Sequence, residues 1–233
     1  MRPTQLTFDD HRRRTGRGGP RAGSGRPRGR RPVVHHVRRD ALPRECPAHV
    51  TLRVRPGIGS LRTRRFMRVL KGSLREAHAR DRARVVHFSV QRDHLHLILE
   101  AHDKLALGSA MKSISARVAR CVHRVFRRAG PALRDRYHVR ALRTPREVRN
   151  AIAYVLLNAR KHWTERNGAP PPVRLDTASS GAWFCGWSRG LQPHPSSEPP
   201  CVATPRTWLL RVGWRRHGLI DPAEVPGRPS RRT

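Results

Sequence analysis

Apolar and polar residues alternate over 49–54, His49-Val50-Thr51-Leu52-Arg53-Val54, and predict a strand with Val50, Leu52 and Val54 facing a core. Pro56-Gly57 ends it. From Ser60 to about Arg82, Phe66, Leu70, Leu74 and Ala77 recur at helical spacing, with arginines on the other face. A second strand is predicted over 84–90, placing Val86, Phe88 and Val90 on one face. Gln91-Arg92-Asp93 is a tight turn, and a third strand follows over 94–100. There Leu95, Leu97 and Leu99 point inward while His94, His96 and Ile98 point outward, so the two strands form a hairpin. Leu107, Met111, Ile114, Val118, Cys121 or Val122, and Val125 then form the stripe of a long helix, stopped by Gly130-Pro131. A short fourth strand is predicted over 137–142. Thr144-Pro145-Arg146-Glu147 carries a cap, a proline at the first helical position and a glutamate at the third, opening a helix to about Trp163.

Strand, helix, strand, strand, helix, strand is the ferredoxin-like (RRM-like) α+β order: an antiparallel sheet with helices on one face. The other face is expected to be open and to carry His94 and His96. The helix holding Tyr154 is an addition that reaches that face. This domain is expected over 47–163. Residues 1–46 read as a disordered arm, with nine arginines and no acidic residue between 11 and 31. Residues 164–233 read as a Pro/Ser-rich linker and a Trp-rich C-terminal extension. Its aromatic cluster at 183–187, with Trp208 and Trp214, is expected to pack on the domain, the alternative being stacking on unpaired bases.

Charge sharpens this picture. The 233 residues carry 50 Lys+Arg, nearly all Arg, against 16 Asp+Glu, a formal net charge of +34. Arginine's planar fork suits phosphate oxygens, so a nucleic-acid partner is expected. Biased codon usage accounts for part of the arginine count but not for the scarcity of acids. Arg12, Arg13, Arg14, Arg53, Arg92, Arg140, Arg143 and Lys161 are the candidate backbone contacts. Cys46, Cys121, Cys185 and Cys201 form no CxxC pair, and a zinc site from Cys185, His194 and Cys201 would fit no finger spacing. No signal peptide or membrane-length apolar run is present, so a cytoplasmic, nucleoid-associated protein with reduced thiols is expected, as monomer or homodimer.

The chemistry concentrates on two elements. His94 and His96, two apart on a strand, present their rings to one side and can grip one ion while leaving its other positions free. At 100° steps along the last helix, Val148, Ile152, Val155, Leu156 and Ala159 gather on one side. Glu147, Asn150, Tyr154, Asn158 and Lys161 gather opposite, so Tyr154 belongs to a polar stripe rather than to the core. Tyr137 is the weaker nucleophile candidate. Lys161 would steady the phenolate or hold phosphate.

His94-Leu95-His96 resembles the His-hydrophobic-His motif of the HUH endonucleases, and Tyr154-Val155-Leu156-Leu157-Asn158 resembles the catalytic helix of their single-tyrosine transposases. The tract from Asp135-Arg136-Tyr137-His138 through Arg143-Thr144-Pro145-Arg146-Glu147 to Lys161-His162 is similar to the REP-associated tyrosine transposases. The resemblance implies that Tyr154 is a nucleophile forming a 5′-phosphotyrosine link and freeing a 3′-hydroxyl. It implies that His94, His96 and Asn158 bind Mg²⁺ or Mn²⁺, and that the partner is single-stranded or hairpin DNA of a repetitive palindrome. Many relatives carry proline where this chain has Ala159. A non-catalytic DNA- or RNA-binding protein on the same sheet is the competing reading. It requires aromatics on the central strands, where this chain has His87, Ser89, His94 and His96.

Overall fold

The computed structural model describes residues 42–78, 83–188 and 199–227. Arg12, Arg13, Arg14 and His194, and residues 1–41 of the expected arm, lie outside those residues; at the arm's end Leu42 is buried in the first core and Cys46 packs against the second. Four strands, β1 (Ala48–Arg53), β2 (Ala83–Val90), β3 (His94–Ala101) and β4 (His138–Ala141), form one antiparallel sheet in the order β2-β3-β1-β4. Helices α1 (Arg64–His78) and α2 (Lys104–Phe126) connect them in the ferredoxin-like manner; α3 (Pro145–Asn167) and the single turn α4 (Trp208–Arg211) follow. No described helix is long and apolar enough to cross a membrane.

Register explains the first core. β3 sets Leu95 opposite Leu52, Leu97 opposite Val50 and Leu99 opposite Ala48. β2 adds Phe88 opposite Leu97 and Val90 opposite Leu95. These side chains meet Phe66, Leu70 and Leu74 of α1 and Met111, Ile114 and Val118 of α2 in one cluster. Each fully buried Leu, Phe or Met stabilises the fold by roughly 1.5–3 kcal/mol.

Two expectations fail at the sheet, for connected reasons. Val85 pairs with Leu99 and His87 with Ile98, leaving Val86 as an extra residue. The bulge puts Val85, not Val86, on the side of Phe88 and Val90, and turns Val86 toward the second face. That second face is not open. Val86 and Ile98 join Val148, Ile152, Val155 and Leu156 of α3 in a second core, walled on its far side by Phe184, Leu210, Trp214 and Ile220. The sheet is therefore a middle layer, and β3 is buried along its whole length.

The ends of α3 set its reach. Thr144 accepts from the Glu147 backbone N–H while the Glu147 carboxylate accepts from the Thr144 N–H, closing a capping box worth about 1 kcal/mol. With alanine rather than proline at 159, no backbone donor is lost there. The helix runs past Trp163 to Asn167, where Gly168 takes a left-handed conformation (φ 73°). α2 stops at Arg127 (φ 49°), before the expected Gly130-Pro131.

The stretch after α3 has a linker's composition but packs on the sheet edge. The Val90 N–H donates to the Ala178 carbonyl and the Ser180 N–H to Phe88. Arg62 grips Asp176 through two bonds of 2.7 and 3.0 Å. As expected, the aromatic cluster packs: Phe184 sits edge-on to Trp187 and against Trp214, and Trp214 is buried.

Candidate active site

The β3 pleat turns His94 and His96 to the same side, beneath α3. Their Nε2 atoms stand 3.1 Å apart with the rings perpendicular. The Asp93 carboxylate, 2.7 Å from His94 Nδ1, accepts that nitrogen's proton and leaves a lone pair on His94 Nε2. On the neighbouring strand the same pleat presents His49 and Thr51. Thr51 Oγ1 is 3.1 Å and His49 Nε2 3.2 Å from His96 Nδ1. When the His96 proton sits on Nδ1, facing these two acceptors, both Nε2 lone pairs converge on one point. Burial pushes the His49 and His96 pKa values down, to about 4 and about 3, and lowers that of His94. All three are neutral near pH 7, the form in which imidazole ligates.

The third side comes from α3. Tyr154 packs its ring edge-on to His96 at 5.1 Å and to His49 at 5.9 Å, and Lys161 Nζ lies 5.1 Å from its centroid. Two turns along, the His162 ring faces His94 at 6.4 Å, with its Nδ1 3.0 Å from Glu165 Oε2. Asn158 lies midway between Tyr154 and His162 along the same side of α3. It is fully buried, and neither its Oδ1 nor its Nδ2 finds a partner among the described residues. An unpartnered buried amide costs about 1–3 kcal/mol. Among the described residues no third His, Cys, Asp or Glu joins the pair as a ligand cluster. The donors this pair could offer a divalent ion are His94 Nε2 and His96 Nε2.

The structure brings His94, His96 and Tyr154 together, with Lys161 against the phenol ring, while Asn158 is buried on the same helix. The helical-wheel placement of Asn158 on a polar stripe opposite the buried side needs amending. Asn158 is buried, while Glu147, Tyr154 and Lys161 on the same stripe are part-exposed and Asn150 is exposed. Of the candidate phosphate contacts, Arg53 is exposed near Asp93 at the site's edge, and Arg92 is exposed in the β2–β3 turn. Arg140 is exposed but ion-paired with Glu147, and exposed Arg143 sits near the N-terminus of α3. Cys201 is buried in the first core and Cys185 is exposed. His49 and His162 went unrecognised in sequence. The signal for His49 was present: the polar half of the β1 alternation falls on the face of His94 and His96. His162 is in phase with Tyr154 and Asn158, at steps of four.

Residues 45–154, a little under half of the chain, match the family described as "Transposase IS200 like". No curated protein matches the chain. Among solved structures it is similar to a REP-associated tyrosine transposase bound to a REP hairpin. That match has 16% identity, covers 55% of this chain and 74% of the other, and has a TM-score of 0.46. It is also similar to a bacterial tRNA(His) guanylyltransferase-like protein in complex with GTP. The identity there is 14%, covering 55% and 70% of the two chains, with a TM-score of 0.40.

Proposed function

We propose that this chain, whose residues 45–154 belong to the IS200-like transposase family, cleaves and rejoins single-stranded DNA beside hairpins through Tyr154. The observation that carries the reading is the Tyr154 ring lying against His96, next to two histidines whose Nε2 atoms converge. In the proposed reaction the Tyr154 oxygen forms a bond to phosphorus while the bond from phosphorus to the 3′-oxygen breaks. The electron pair leaves with that oxygen, which takes up a proton as a 3′-hydroxyl. The phenol's own proton is lost to solvent. The 5′-phosphotyrosine link keeps the bond energy, so the reverse attack rejoins strands without an energy cofactor.

His94, His96 and Asn158 would hold Mg²⁺ or Mn²⁺, and the unpartnered Asn158 amide supports that assignment. An ion there would offset charge building on the scissile phosphate. Asp93 and the His49–Thr51 pair fix the ring orientations and proton positions of the two histidines. Lys161 places a cation beside the phenol on the side where a phosphate would approach. Arg53, Arg92, Arg140 and Arg143 would contact backbone phosphates, positioning the strand without reading its sequence. The non-catalytic RNA-binding reading loses its surface, because α3 covers the sheet face on which bases would stack.

The test is incubation with single-stranded DNA hairpins carrying unpaired flanks, with Mg²⁺ or Mn²⁺, followed by denaturing gels. A covalent protein–DNA band is expected in wild type, lost on removing the metal and in Tyr154→Phe. Tight hairpin binding without a band, over several repeat sequences and both ions, would establish a binding protein instead.

A further inference from the structure

At the opposite end of β3 from the histidines lies a groove of about 1490 Å³ between the N-termini of α2, α3 and α4. Its floor is built around a buried carboxylate. Glu100, only 5% exposed, accepts the backbone N–H groups of Arg206 and Thr207 and the Thr207 hydroxyl, at 2.7–2.9 Å. Such a cluster of charge-assisted bonds fixes the corner at 206–208 rigidly. The corner presents Trp208, which lines the groove and stays 48% exposed. Its ring rests on Gly213, where an added Cβ would come within 2.6 Å of ring carbon Cζ3, and the Arg216 guanidinium lies 4.8 Å from its centroid. An indole held this firmly and left half in solvent is a platform rather than a core residue.

Arginines outnumber carboxylates around the platform, although exposed Glu45 also lines the rim. Glu100 is occupied by the corner and by Arg84, and Asp103 caps α2. Arg44, Arg143 and Arg206 line the same groove, are exposed, and form no ion pair with a described carboxylate. Arg84, Arg140 and Arg149, by contrast, each have one. Arg143 and Pro145 also mark the border with a second groove, lined by Arg140, Arg146 and Tyr154. Pro145 and Tyr154 are nine residues apart on α3, about 14 Å.

We propose that the Trp208 groove binds an unpaired segment of the DNA strand that runs along α3 from Tyr154, with one base stacked on Trp208 and phosphates on Arg44, Arg143 and Arg206. The site deepens the single-strand cleavage reading and rests on it. Flat aromatic faces and guanidinium forks are the chemistry that holds single strands without regard to sequence.

The probe is fluorescein-labelled oligothymidylate of 20 nucleotides, titrated by anisotropy onto the full chain in the Tyr154→Phe background. Trp208→Ala is expected to weaken binding about 10-fold. Arg143→Glu/Arg206→Glu should weaken it at least as much and flatten its salt dependence. Arg65→Glu/Arg68→Glu, the same charge change on the exposed side of α1, should change affinity by no more than about 2-fold. Photocrosslinking with an iodouracil-substituted oligonucleotide should map to Trp208. Equal losses in the groove and α1 variants, a crosslink that avoids 206–208, or Trp208-dependent self-association in place of DNA binding would each overturn the proposal. Cleavage is read separately, as covalent adduct formed by the wild-type chain. A crosslink at Trp208 without any adduct in wild type would keep the groove and sink the cleavage chemistry.

Discussion

Asn158 is the residue at which a cost in stability is plainest. Its amide is wholly buried and unpartnered, which an apolar residue of similar shape would not be. Asn158→Leu is therefore expected to raise the unfolding free energy by about 1–3 kcal/mol. The same change should abolish tight Mn²⁺ binding and adduct formation, if that oxygen is a ligand. Urea denaturation and Mn²⁺ titration measure the two effects on one protein. A destabilised Asn158→Leu would show that the amide has a partner after all, and unchanged Mn²⁺ affinity would remove it from the ligand set. The residue types at the site were legible: the spacing of His94 and His96 and the phase of Tyr154 and Asn158 each follow from one element's period. What joins them was not. That His49 and Thr51 meet His96 depends on the β1–β3 register, in which Thr51 stands opposite His96. No property of either segment alone fixes that register.

The elements themselves were largely written in the hydrophobic pattern, because each long helix and strand buries one face against one layer. The pattern misled where an element has two buried faces. α3 looks amphipathic on a wheel, yet its apolar side is enclosed between Ile98 of the sheet and Trp214 and Ile220, while Tyr154 of its polar stripe lies against His96. The chain after it looked like a linker because its backbone pairs irregularly, with the sheet edge at the isolated bridge Ser89 to Ser179 and with itself at Trp187 to Ile220. Gly186 is the hinge of that packing. A Cβ there would fall 2.3 Å from Trp214 and 2.5 Å from Phe184. Gly186→Ala is expected to cost about 2–3 kcal/mol by overpacking. Because the displaced Trp214 backs α3, the variant should also lose adduct formation near its lowered melting temperature. Calorimetry on Gly186→Ala checks this: an unchanged melting temperature would mean that the two rings have room to move aside.

For the molecule as a whole, closing both faces of the sheet decides how it meets acid. An open sheet would leave its histidines wet. Here burial holds His49, His87 and His96 neutral, with pKa values lowered to about 4, about 4 and about 3. His87 is the simplest of the three, since burial alone shifts it; its ring lies edge-on to Phe184 and its Nδ1 is buried without a partner. An unfolded histidine titrates near 6.5. Between that value and the folded one the unfolded chain binds the extra proton, so stability rises with pH across the window. The stabilising difference is complete above about pH 6.5 and is lost as pH falls toward 4. A 2.5-unit gap corresponds to about 3 kcal/mol for His87 alone. His49 and His96 act in the same direction. Urea midpoints are thus expected to fall steeply from pH 6.5 to 4.5, and His87→Leu should fall less steeply, by about 2 kcal/mol over that range. At pH 7.5 the same variant should be no less stable than wild type, because it removes an unpartnered nitrogen from the core. Parallel pH profiles for the two proteins would mean that the acid limb belongs to the site histidines, with His87 a bystander.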